Sequence, residues 1–253
     1  MDSLERALIE KAGYGHGFEN IRESSPERVV LFSARHRAEA CVIRSADAAD
    51  QWHVVFRQGP PPAELVRTLP GITFKDGAFG PVDERTLGQL LRRAAELAMA
   101  LPNHAADQYR REITKIEAAP PQATEALRLT KQRIGQELYR QALLDYWGGC
   151  AVTGIRQPEL LRASHAKPWS ECESDEERLN VFNGFLLCAH LDALFDRGLL
   201  SFTDEGLGLI SSELEASTLE LLHLDKELRL RWVAAEHHAF LQWHRENVFR
   251  QLP

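Results

Sequence analysis

The sequence predicts an α+β protein in two parts, a mixed α/β module over residues 1–118 and a second domain over residues 119–253. Three observations carry this reading. β-branched and aromatic runs separated by polar turns fill residues 29–56. An apolar stripe at three- and four-residue steps runs from Leu87 to Leu101. Beyond Gly148-Gly149 the texture changes to short strands alternating with short helices.

Residues 4–13 read as a short helix. Val29-Val30-Leu31-Phe32, Ala40-Cys41-Val42-Ile43 and Trp52-His53-Val54-Val55-Phe56 read as strands, and Gly59-Pro60-Pro61-Pro62 breaks the chain. The helix from Asp83 to Leu101 carries Leu87, Leu90, Leu91, Ala94, Leu97, Ala98 and Leu101 on one face, and Pro102 stops it. A linker-like stretch follows, with Ala118-Ala119-Pro120-Pro121 as the boundary. Thr124 is placed to cap a helix that runs to about Trp147 and ends at Gly148-Gly149.

Cys150-Ala151-Val152-Thr153-Gly154 and the apolar run before Ser164 suggest a hairpin. Residues 183–188 read as a strand and 190–196 as a helix. Residues 199–202 and 207–210 flank an Asp/Gly-rich turn, a hairpin signal. A helix near 212–222, a short strand at 228–232 and a helix over about 235–249 complete the prediction.

Composition bounds the function. With 44% hydrophobic and 26% charged residues the chain can bury a core, which excludes a disordered or fibrous protein. A net charge of −7 argues against a generic nucleic-acid coat, though not against an enzyme with a local basic patch. No apolar stretch approaches the ~20 residues that span a bilayer, so no membrane partner is expected. The start Met1-Asp2-Ser3-Leu4-Glu5-Arg6 lacks a signal-peptide layout, and Cys41, Cys150, Cys172 and Cys188 are scattered. Together these predict free thiols and a cytoplasmic location.

The chemistry lies in three ordered segments: Ser164-His165-Ala166-Lys167-Pro168-Trp169, then Asn183-Gly184-Phe185-Leu186-Leu187, then Asp192-Ala193-Leu194-Phe195-Asp196-Arg197-Gly198. Phosphodiester hydrolysis needs a base that works near neutral pH and a cation that stabilises charge on phosphate and leaving oxygen. A histidine at a strand end suits the first need. Two carboxylates four residues apart share a helix face and suit the second, because magnesium keeps most of its waters.

This order resembles the HNH nuclease family, in the branch with a Ser-His-x-Lys-Pro-Trp box and an Asn-Gly-x-Leu-Leu…Asp-x-Leu-Phe-Asp box. Residues 130–140 and 243–249 are also similar, so the resemblance covers roughly residues 122–250. It implies a ββα-metal fold in the second domain and DNA as substrate, with His165 as general base and Asn183 as brace of the catalytic loop. It implies Asp192, and one turn later Asp196, on a magnesium- or manganese-class ion. Asp196 reads equally as the end of the helix or the partner of an arginine.

Lys167, Arg178, Arg197 and Arg245 are candidate nucleic-acid contacts. His244 lies beside Arg245, either reaching the site or exposed, and His190 should point away from the site. Ser164 stands where many relatives carry another metal ligand. Cys150 and Cys188 stand at the first halves of two Cys-x-x-Cys pairs whose second halves are Thr153 and Leu191, so structural zinc is not expected. The resemblance suggests a restriction or defence role. The first module then selects DNA, by a base modification for instance, or pairs two nuclease domains as a homodimer. Two other readings stay open: a non-catalytic DNA-binding or regulatory protein on a nuclease fold, and an RNA-directed phosphodiesterase.

Overall fold

The computed structural model describes residues 1–46, 48, 50–101, 104–118, 124–224 and 227–250. It divides into two compact units, residues 1–102 and 103–253.

In the first unit, α1 (Ser3–Gly15) begins with a reciprocal cap. Asp2 accepts from the Glu5 amide at 2.9 Å while Glu5 accepts from the Asp2 amide at 2.7 Å. Strands β1 (Asn20–Ser24), β2 (Arg28–Phe32), β3 (Glu39–Arg44) and β4 (Trp52–Arg57) follow. Helix α2 (Pro62–Thr68) starts on the proline run, whose fixed φ suits a first helical turn. β5 (Phe74–Lys75), β6 (Ala78–Val82) and α3 (Glu84–Ala100) complete the unit.

The strands form one antiparallel sheet in the order β1-β2-β3-β4-β6-β5. Register places Val29 opposite Val42, Leu31 opposite Ala40, and Val42 opposite Val54. All five residues are fully buried, so period-two alternation defines the core face. α1 packs on β2 and on α3, and α3 buries Leu87, Leu90, Leu91, Ala94 and Leu97, the stripe expected from sequence. Pro102, its expected stop, lies outside the described residues.

The second unit opens with α4 (His104–Glu117), where a linker was expected. Its buried Ala105, Ala106 and Tyr109 are too small and too few to read as an apolar stripe, yet the helix packs along α5 (Thr124–Trp147). Of the expected boundary at 118–121, only Ala118 is described. α5 buries Tyr139, Ala142, Leu143, Tyr146 and Trp147 at helical spacing. Then come β7 (Leu161–His165), α6 (Asp175–Arg178), β8 (Gly184–Cys188), α7 (Ala189–Asp196), β9 (Leu200–Phe202), β10 (Gly208–Ile210), α8 (Ala216–Leu221) and α9 (His238–Asn247).

β9 and β10 form the expected hairpin. The hairpin expected within 150–164 is not made. Residues 150–154 form a turn instead, and β7 pairs with β8, Leu161 opposite Cys188 through His165 opposite Gly184. The expected strand at 228–232 reduces to a single bridge between Leu207 and Arg229. No described helix is long and apolar enough to cross a membrane.

Candidate active site

The site is built on β7, the loop 166–183, β8 and α7. β8 is buried along its whole length, so its alignment with β7 is fixed by the core. Gly184 makes the close approach possible, since a Cβ there would overlap the Ser164 carbonyl oxygen and the Tyr139 hydroxyl.

Consecutive strand residues face opposite sides. Ser164 turns to α7, and its hydroxyl donates to Asp192 Oδ1 at 2.5 Å. His165 turns to α5, where its ring stacks on Tyr139 with centroids 3.9 Å apart, and the Trp169 ring meets it edge-on at 6.0 Å. His165 Nε2 lies 2.8 Å from the Arg178 carbonyl oxygen. A carbonyl only accepts, so Nε2 carries the proton and Nδ1 keeps the free lone pair. Burial between the rings lowers the pKa of His165 to about 4, opposed by the bond to Arg178, and the imidazole is neutral at physiological pH.

Asn183 is fully buried and staples the loop. Its Oδ1 accepts from the Lys167 amide at 2.8 Å. Its Nδ2 donates to the carbonyls of Lys167 at 3.1 Å and Glu177 at 3.2 Å, and to Cys172 Sγ at 3.3 Å. Its own carbonyl accepts from Tyr139 Oη at 2.9 Å and from the Ala166 amide at 3.0 Å. The same asparagine thus ties the histidine's strand to the loop and to α5.

The expected cations divide. Lys167 pairs with Glu177 at 2.8 Å, and that bond raises its pKa. Arg178 donates to the carbonyls of Trp169 and Cys172 and to Asp175, holding the loop closed on itself. Arg245 donates to the Phe202 carbonyl and to Asp204, fastening α9 to the β9–β10 hairpin. Each of these three candidate phosphate contacts is already engaged by a carbonyl or a carboxylate of the fold. The side chain of Arg197, exposed at the end of α7, makes no hydrogen bond or ion pair among the described residues, though its charge acts on neighbouring Asp196.

His244 neither reaches the site nor is exposed. It is buried against Phe195, bonded to Ser201 Oγ at 2.9 Å and to the Phe195 carbonyl at 3.1 Å. His190 is exposed.

Asp192 and Asp196 lie one turn apart on α7. Burial, and then the charge of Asp192, raise the pKa of Asp196 to about 6. Asp196 keeps more than a third of its surface exposed, so solvent screens part of this effect. Among the described residues no group of three or more His, Cys, Asp or Glu is placed to hold a metal ion. Two mutually repelling carboxylates on one helix face suit a hard, largely hydrated cation that relieves their repulsion. They do not suit a closed four-ligand cage.

At the other end of β8, Thr153 bridges the two thiols. Its amide donates to Cys150 Sγ and its hydroxyl bonds Cys188 Sγ, both at 3.4 Å, while Leu191 is buried.

Tyr139, Cys172 and Glu177 are residues that sequence reasoning leaves without a site role, while Trp169 reads from sequence as packing against the hairpin. Tyr139 and Trp169 stand inside runs that look family-like, the one signal that could have found them.

A two-stranded hairpin with a long stapled loop, a histidine closing its first strand and a carboxylate-bearing helix directly after its second is the ββα architecture of HNH nucleases. Residues 150–203 match the family model HNH_2, described as HNH endonuclease, so an HNH domain occupies this part of the chain. No curated protein matches the sequence.

Proposed function

We propose that this protein is a DNA endonuclease that hydrolyses phosphodiester bonds with the help of a divalent cation. The observation that carries the reading is His165. It is a neutral imidazole at the end of β7, its Nε2 proton held by the Arg178 carbonyl and its Nδ1 without a hydrogen bond among the described residues. A base so oriented takes a proton from water as the water oxygen attacks phosphorus, and the bond to the 3′ oxygen breaks in line.

Asn183 acts by holding the loop that supplies the Arg178 carbonyl, which fixes the tautomer of His165. Asp192, oriented by Ser164, and Asp196 would hold a magnesium- or manganese-class ion. When bound, such an ion supplies positive charge against the developing charge on the phosphate and leaving oxygens. Arg197, whose side chain makes no ion pair among the described residues and whose charge lies near Asp196, is the cation assigned to substrate phosphate.

Residues 1–118 are assigned to choosing the DNA or to pairing two nuclease domains, within a restriction or defence role. The test is cleavage of plasmid DNA, unmodified and carrying modified cytosines, alongside single-stranded RNA, with magnesium, manganese or EDTA. Metal-dependent DNA cutting supports the reading. Cutting confined to RNA, or none by folded protein, overturns it.

A further inference from the structure

The first unit contains an open cleft of about 770 Å³ between α1 and the N-terminal half of α3. Lys11 and His16 come from the α1 side and Arg85 and Arg92 from α3, while Ala12, Gly15 and Gly88 leave the floor free of bulk. The cleft gathers three cations that the fold leaves without ion pairs, while Arg6, Arg35, Arg37 and Lys75, also without ion pairs among the described residues, lie outside its lining. Arg22, Arg28, Arg44, Arg57, Arg67 and Arg93 each lie within ion-pair distance of a glutamate. Lys11, Arg85 and Arg92 have no ion pair among the described residues, and all three line one cleft.

The cleft is also shaped. Arg92 Nη2 donates to His16 Nδ1 at 3.3 Å, which holds the imidazole across the cleft. Gly88 makes room for that ring, because a Cβ there would fall 2.6 Å from His16 Nε2. Two acids share the rim. Asp83 is engaged as the cap of α3, accepting from the Thr86 amide at 2.8 Å, and Glu84 is exposed.

We propose that this cleft binds the phosphate backbone of a nucleic-acid strand, giving the first unit a sequence-independent grip on DNA. The inference rests on the nuclease reading for its choice of phosphate among anions. Geometry supports a strand over a single phosphate group. Arg85 and Arg92 are seven residues apart on one helix, roughly 10 Å along its axis, a length over which one strand carries about three phosphates. A guanidinium with free donors matches the paired oxygens of a phosphate.

The test is fluorescence anisotropy with a labelled 20-base-pair duplex in EDTA. It uses the full chain carrying His165→Ala, so that cutting cannot intervene, with and without Lys11→Ala, Arg85→Ala and Arg92→Ala together. The triple substitution is expected to weaken binding at least tenfold near 0.1 M salt. It should also reduce the slope of log affinity against log salt by about 2 to 3, at ~0.9 for each phosphate no longer neutralised. Arg85→Lys with Arg92→Lys should keep most of the slope, which separates charge from folding. Unchanged affinity and slope in the triple variant overturn the proposal. So does a cleft that takes a free mononucleotide while duplex binding ignores all three side chains. The two readings fail separately. Binding lost in the triple variant when the natural chain cuts no DNA keeps the cleft and removes the nuclease. Cutting with binding unchanged removes the cleft alone.

Discussion

Asn183→Asp replaces one buried NH₂ with oxygen and should act through the loop, not through the reacting atoms. In the natural protein that nitrogen donates to two carbonyls and a thiol, while the amide oxygen accepts from the Lys167 amide. An ionised carboxylate keeps the last bond and sets an oxygen against two carbonyl oxygens, while the Cys172 thiol can turn to donate to it. At about 1 kcal/mol per missing bond, plus about 1–3 kcal/mol where a buried acceptor is left unpaired, the loss is on the order of 3–5 kcal/mol. For a unit of this size that lowers the melting midpoint by roughly 6–20 °C.

The loss should also depend on pH. Burial facing two carbonyl oxygens, with the Lys167 amide as its one backbone donor, raises the folded-state pKa of the introduced carboxyl above its unfolded value. The variant's deficit is therefore small where both states are protonated and grows as pH rises through the folded pKa. Tryptophan fluorescence melts at pH 5 and 7.5 follow the right unit, because Trp147, Trp169, Trp232 and Trp243 lie in it and only Trp52 in the other. Midpoints within 2 °C of the natural protein at pH 7.5 would refute the stapling role.

Three further outcomes are expected. Asp196, with its pKa raised to about 6, must lose its proton to hold a cation. Apparent metal affinity in cleavage should therefore weaken as pH falls from 6, excess metal should restore activity, and Asp196→Asn should remove the effect; a pH response identical in that variant contradicts the metal role. Gly184→Ala places a methyl against the Ser164 carbonyl and the Tyr139 hydroxyl, so it should cost more than about 2 kcal/mol in urea unfolding and lower kcat with it, whereas near-natural stability would show the contact to be soft. His244 is buried with its pKa lowered to about 4, below the ordinary ~6.5 of an unfolded histidine. Its contribution is thus complete above pH 6.5 and is lost as pH falls toward 4, and His244→Gln should flatten that acid slope of stability; an unchanged slope assigns the acid sensitivity elsewhere.

Much of the fold was legible in the sequence where the signal was local. The α3 stripe, the cores of β2 to β4, β8, α7 and the β9–β10 hairpin each carry their own periodicity or turn chemistry. The elements not foreseen lack such a signal. β1 is a polar edge strand, and α2 follows three prolines that read as a break. α4 buries two alanines and a tyrosine inside an otherwise charged run, which resembles a linker until α5 is beside it. The pairing of β7 with β8 across residues 166–183 is a tertiary fact, since the polar Arg162-Ala163-Ser164-His165 becomes a strand only against a fully buried partner.

The site divides in the same way. The family resemblance of the three ordered segments singled out His165, Asn183, Asp192 and Asp196 as candidates, because the order of residue types is visible without any tertiary contact. Which cations are free could not be read, because Lys167 meets Glu177 and Arg178 meets Trp169 only once the loop closes. Tyr139 could not be read either, since its contacts with His165 and Asn183 bridge distant parts of the chain.

The central claim is that His165 Nδ1 activates water for attack on DNA. Its most direct test is single-turnover cleavage of a labelled duplex with saturating magnesium or manganese, comparing the natural protein with His165→Ala. Equal melting and equal duplex binding in EDTA would first establish that the variant is folded and engaged. The account predicts a cleavage rate reduced at least ~10²-fold in the variant, the usual contribution of a general base. Cutting by the variant at the natural rate would contradict it and move the base to another residue.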